Sequence, residues 1–139
     1  MRMLWGAAAT VAGLALGELA LRVLARRPPA VRRAVLAGLL ALASVVYVGF
    51  AMRLGRPSQR LPELFGLAGF AALALVGLDP AQGRILALAW LGHALWDLTV
   101  PFRGGGSYVP DWYPPFCLAF DLLLAVGIWR AARPAGGAT

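Results

Sequence analysis

The side chains able to do chemistry are gathered between Trp90 and Asp121, where the chain reads W-L-G-H-A-L-W-D-L-T-V-P-F, a glycine-rich loop, and then V-P-D-W-Y-P-P-F-C-L-A-F-D. This stretch holds the only histidine, the only cysteine, three of the five tryptophans and three of the six acidic residues. His93 and Asp97 are four apart, so on a helix they share a face, with Trp90 one turn away; Cys117 and Asp121 repeat that spacing further on. Counted at ~1.5 Å per residue from the loop between two antiparallel helices, His93 and Asp121 lie roughly 10 Å deep and Asp97 and Cys117 within about 5 Å of the end. By the same count Tyr47, on an earlier helix, reaches the depth of His93 and Asp121.

Three chemistries fit this set, and the residues leave all three open. His93 and Asp121 can simply bond each other across the helix pair, with the aromatic residues anchoring the loop at the headgroups. His93 can instead work with Asp97 or Asp121 as acid and base, or the cluster can bind a polar headgroup; His93, Asp97 and Asp121 are then the catalytic candidates. Tyr47, Trp90, Trp96, Trp112, Tyr113 and Cys117 are the candidates for ligand contact. A metal ion is the third reading, since histidine, two aspartates and a cysteine offer suitable donors, but no HExxH or paired-histidine motif supports it and no metal ligand is assigned. The cofactor is left open. The aromatic, proline-stiffened loop from Pro101 to Pro115 is either a lid over the polar site or an interfacial anchor.

The elements that must position these residues are apolar. Of the 139 residues 60% are hydrophobic and 14% charged, with a mean hydropathy of +0.74, which leaves too little polar surface to cover a soluble globule. A spanning helix needs about 20 apolar residues, so four or five spans consume nearly the whole chain and leave no room for a soluble domain. The expectation is an all-α integral membrane bundle of five transmembrane helices in a single domain, over residues 4–25, 34–52, 61–78, 80–100 and 115–131. The net charge of +7 does not argue for nucleic acid, because the arginines cluster at the ends of apolar runs, as topology determinants and contacts for anionic lipid do. All 13 basic residues are arginine. A single cysteine excludes an intramolecular disulfide and multi-cysteine metal sites.

Along the chain, the run from Leu4 to Ala25 is long and ends in Arg26-Arg27-Pro28-Pro29, as a retained helix does and a cleaved signal peptide does not. Gly13 and Gly17, with Ala9 one turn earlier, form a small-residue stripe that admits another helix closely. Glu18 and Arg22 stand in the order that favours pairing on one helix. A basic loop from Arg53 to Arg60 leads to Pro62 and Glu63, which suit the first turn of the third helix. Asp79-Pro80 is an N-cap followed by proline and starts the fourth. The Gly104-Gly105-Gly106 run closes it, and the fifth begins at Pro114-Pro115. No internal repeat of 20–50 residues appears. Five helices put the termini on opposite sides, and the arginine balance leans the N-terminus outwards.

The pattern His93-x-x-Trp96-Asp97, then Pro110-x-Trp112-Tyr113-Pro114-Pro115-x-Cys117-x-x-x-Asp121, resembles a family of small bacterial integral membrane proteins of unknown function. The resemblance runs from Trp90 to Trp129. Members often carry a histidine pair after the Trp-Asp; here Leu98-Thr99-Val100-Pro101 stands in that place, which speaks against a histidine-rich metal site. The resemblance implies a bacterial inner membrane and brings no established activity. The expected function is a polar site for a lipid-like or small amphipathic ligand, with membrane lipids as partners and acid/base chemistry open. The alternatives are an accessory subunit of a larger membrane complex and, third, a small transporter working as a homo-oligomer.

Overall fold

The computed structural model describes residues 2–102 and 108–132. The expectation for the Gly104-Gly105-Gly106 run falls outside them. Five helices follow one another: α1 (Arg2–Ala25), α2 (Pro29–Leu54), α3 (Pro57–Val76), α4 (Gly83–Thr99) and α5 (Tyr113–Ala131), with one-turn 3-10 segments at Pro80–Gln82 and Val100–Phe102 flanking α4. No strand occurs among the described residues.

Four of the five helices, α1, α2, α3 and α5, are long and apolar enough to cross a membrane. The remaining expected span, residues 80–100, contains α4, which has 17 residues, and the 3-10 turns at either end carry its helical path from Pro80 to Phe102. The turns arise where proline breaks the ladder: Pro80 follows an Asp79 cap whose carboxylate accepts from the Ala81 amide at 2.9 Å, and Pro101 lies in the second turn.

The third helix begins four residues earlier than expected. The supposed basic loop from Arg53 to Arg60 is mostly helix, because α2 continues to Leu54 and α3 starts at Pro57. Pro57 takes the first helical position, where no amide partner is needed, and the Gln59 side chain accepts from the Arg56 amide at 2.8 Å. Pro62 is therefore inside α3 rather than at its start.

The helix order in space follows the small residues. α1 packs on α5, α5 on α4, and α4 on α3 and α2, which form an antiparallel hairpin across the two-residue Gly55-Arg56 connection. A Cβ on Gly13 would collide with the Phe116 carbonyl oxygen, and one on Gly17 would stand 3.2 Å from Leu123 Cδ2. Gly127 returns the accommodation by receiving Leu21. The register Gly13 to Phe116, Gly17 to Leu123 and Leu21 to Gly127 makes α1 and α5 parallel, so the glycine stripe is used within the chain. The expected Glu18–Arg22 pair is present at 2.7 Å.

The interior has two parts. Leu36, Leu40, Leu86, Trp90 and Leu124 fill the half towards the α1–α2 connection. Tyr47, Ala51, Val100, Tyr108, Val109, Tyr113 and Cys117 fill the half beneath the α4–α5 connection.

Candidate functional site

Between these two halves lies a buried polar cluster contributed by α2, α4 and α5. His93 Nδ1 is 2.6 Å from Asp121 Oδ2, and the Tyr47 hydroxyl donates to Asp97 Oδ1 at 2.6 Å. His93 Nδ1 also stands 4.0 Å from Asp97 Oδ1. None of the four side chains is more than 1% exposed. The Tyr47 ring meets the imidazole edge-on at 5.8 Å between centroids, and Phe70 of α3 closes its other approach at 4.9 Å.

Counting along the helices separates two polar layers, whereas the structure has one. On a helix each Cα–Cβ bond tilts towards the N-terminus. α4 and α5 run in opposite directions, so Asp97 leans inwards from its end of the bundle while Asp121 leans outwards, and the layers converge. Tyr47 accordingly bonds Asp97 rather than the deeper pair. Charge buried this completely is costly unless it is paired, so the two carboxyls, the imidazole and the phenol must satisfy one another.

One donor atom from each of His93, Asp97 and Asp121 lies within 4.8 Å of the others. These are the residues that could hold a metal ion. One imidazole with two carboxylates is a reasonable set for a divalent cation, and binding one would require the His93–Asp121 hydrogen bond to open.

The remaining sequence candidates divide. Tyr113 and Cys117 are buried beside Tyr47, the two tyrosine rings 5.4 Å apart. Trp90 is wholly buried one turn from His93, edge-on to Phe120 at 5.8 Å, and its indole N–H finds no hydrogen-bond partner among the described residues. Trp96 points to α3 instead, and Trp112 is 47% exposed at the surface, so neither joins the cluster.

Trp96 leads to a group that sequence reasoning misplaced. Glu63, expected to face the dipole of a first helical turn, is 1% exposed and accepts from Trp96 Nε1 at 3.1 Å and from the Tyr108 hydroxyl. Gly66 makes room, since a Cβ there would come within 2.8 Å of the Trp96 ring. A lone carboxylate ahead of an apolar run, with an indole and a phenol elsewhere needing acceptors, was the available signal. Glu63 thereby ties the segment 108–113 to α3 and α4. Tyr108→Phe is expected to lower stability by about 1–2 kcal/mol and to speed hydrogen exchange of the 108–113 amides. Unchanged protection would mean that Val109 and Tyr113 seat the segment by packing alone.

Fold and site together define a helical bundle with membrane-compatible spans and a polar centre built from three of its helices. Residues 8–134 match a family of unknown function, DUF6010, and the chain belongs to that family. No curated protein and no solved structure is significantly similar to it.

Proposed function

We propose that this chain is an integral membrane protein that crosses the bilayer five times, with α4 and its flanking turns as the fifth span, and that the His93 cluster is an acid/base site for a lipid-like or small amphipathic ligand. The observation that carries the reading is the convergence of His93, Asp97, Asp121 and Tyr47 from three helices at full burial. Packing alone has no use for such a group: apolar residues of similar volume replace buried ion pairs at no loss, or with a gain, in stability. Intramembrane ionisable residues of this kind mark sites where protons or polar ligands are handled.

Roles follow from the geometry. Asp121 holds the imidazole through Nδ1, which makes Nε2 the atom through which His93 exchanges a proton. Tyr47 holds Asp97 in the same way. The unmatched Trp90 N–H is a donor that a ligand oxygen would satisfy. Tyr108, Val109 and Tyr113 pack over the outer end of the cluster, so a ligand reaches it when the segment 108–113 swings aside. The arginine balance favours an orientation with that segment on the outer face of a bacterial inner membrane.

Uncharged single-chain amphiphiles, fatty alcohols and monoacylglycerols, are the probes. Added to detergent-purified protein, they are expected to raise the melting temperature of the wild type. Asp97→Asn should melt at the same temperature as wild type or higher and lose the shift, as a strained site does. If the wild type shows no shift, and Asp97→Asn, His93→Asn and Asp121→Asn all melt lower, the cluster is a helix clamp and the accessory-subunit reading takes its place.

A further inference from the structure

The bundle end opposite the His93 cluster carries a groove of about 890 Å³ between the last turns of α1 and α5, the first turns of α2, and residues 80–86. Its size falls within the range of small-molecule sites. Leu21, Leu36 and Ile128 belong to its apolar wall, Arg32, Arg33 and Arg84 also line it, and among the described residues no aspartate or glutamate does. Two of these arginines are held by neutral partners. Arg33 Nε donates to the Leu78 carbonyl at 3.2 Å, and the Arg84 guanidinium lies 5.2 Å from the centre of the Trp129 ring. None of the three is in an ion pair among the described residues. Arg26, Arg27 and Arg130 stand at the same end. The acidic residue nearest in sequence, Asp79, is engaged in capping the turn at Ala81.

Positive charge without counter-charge, set on an apolar wall at a membrane face, has a specific complement. Guanidinium edges bind phosphate oxygens in pairs, and basic pockets between spanning helices receive anionic headgroups. A free anion would use the arginines and leave the apolar wall wet; a lipid uses both. We infer that this groove binds an anionic phospholipid of the surrounding leaflet, its phosphate held by Arg32, Arg33 and Arg84 and its chains lying along the apolar wall. The inference rests on the chain being membrane-spanning and is independent of the His93 cluster.

Native mass spectrometry and thermal melts of the full chain in detergent test it, with phosphatidylglycerol, phosphatidylcholine and inorganic phosphate as separate additions. The wild type should retain and be stabilised by phosphatidylglycerol in preference to phosphatidylcholine. Arg32→Gln with Arg84→Gln should weaken that binding about 25-fold, at about fivefold for each arginine near the headgroups. Arg53→Gln with Arg56→Gln, which removes equal charge at the other end, should leave it unchanged. If the first pair fails to fold, Arg32→Gln alone, which breaks no hydrogen bond of its side chain, should still show about a fivefold loss. Equal retention of both lipids, equal loss in the control pair, or a full shift from inorganic phosphate alone would each overturn the lipid site. A chain that stays dispersed in buffer without detergent would overturn the membrane reading as well.

Discussion

His93→Leu is expected to be among the most destabilising single changes in the protein, by about 3–5 kcal/mol, the cost of removing one partner from a buried pair. With Nδ1 gone, Asp121 loses the group 2.6 Å away, and two carboxyls are left facing each other with Tyr47 as a donor to only one of them. A domain has about 5–15 kcal/mol in total, so such a loss threatens the folded state at ordinary temperature. The double change His93→Leu with Asp121→Leu should recover most of the loss, because both partners are then replaced by apolar groups. His93→Gln should fall between, an amide supplying a donor without the charge. Denaturant or thermal unfolding in one detergent measures the series. A His93→Leu protein within about 0.5 kcal/mol of wild type, the range of surface substitutions, would show that the cluster contributes nothing to holding α4 against α5.

Much of this arrangement was legible in the sequence because a few rules act strongly in a chain so apolar. Proline, glycine and arginine mark helix ends, and the i, i+4 spacing puts His93 and Asp97 on one face and Cys117 and Asp121 on another. What counting missed was direction. Side chains lean along their helices, and opposite leanings on antiparallel neighbours bring Asp97 and Asp121 together, so that the expected His93–Asp121 pair and the Tyr47–Asp97 bond form one cluster instead of two layers. The α2–α3 connection was misjudged for a different reason. Pro62 suits a first helical turn, yet Pro57 and the Arg56–Gln59 cap start α3 first, and Pro62 then sits inside it, where it removes one ladder hydrogen bond without ending the helix. Glu63 then lies beyond the first turn in a buried position, where Trp96 and Tyr108 converge on it. Nothing in the spacing of these three residues announces that they meet, since they come from three separate parts of the chain. The small-residue stripe, by contrast, was readable as a close contact, and only its partner, α5, needed the structure.

That stripe is the basis of the second large effect. Gly13→Leu is expected to undock α1 from α5 and to lower stability by about 3 kcal/mol, at the upper end for overpacking. The obstacle is backbone: a Cβ at Gly13 meets the Phe116 carbonyl oxygen, and a helix carbonyl cannot rotate away as a side chain can. At Gly17 the neighbour is the end of a leucine, Leu123 Cδ2 at 3.2 Å, so Gly17→Ala should cost far less. At Gly49 and Gly69 nothing lies within 4 Å of an added Cβ, and alanine there should be neutral or should stabilise by up to about 1 kcal/mol through helix propensity. Phe116 and Phe120 contact α1 from α5, while Cys117 and Asp121 turn to the buried side. α1 therefore braces the helix that carries Asp121, and its loss should loosen the His93–Asp121 contact from behind without touching either residue. Hydrogen exchange resolves the order of events. In Gly13→Leu, protection should fall first along α1, then along α5 near Asp121, while the α2–α3 hairpin keeps its wild-type protection. Uniform loss across all five helices would instead mean that the bundle unfolds as one unit and that α1 is no separate brace.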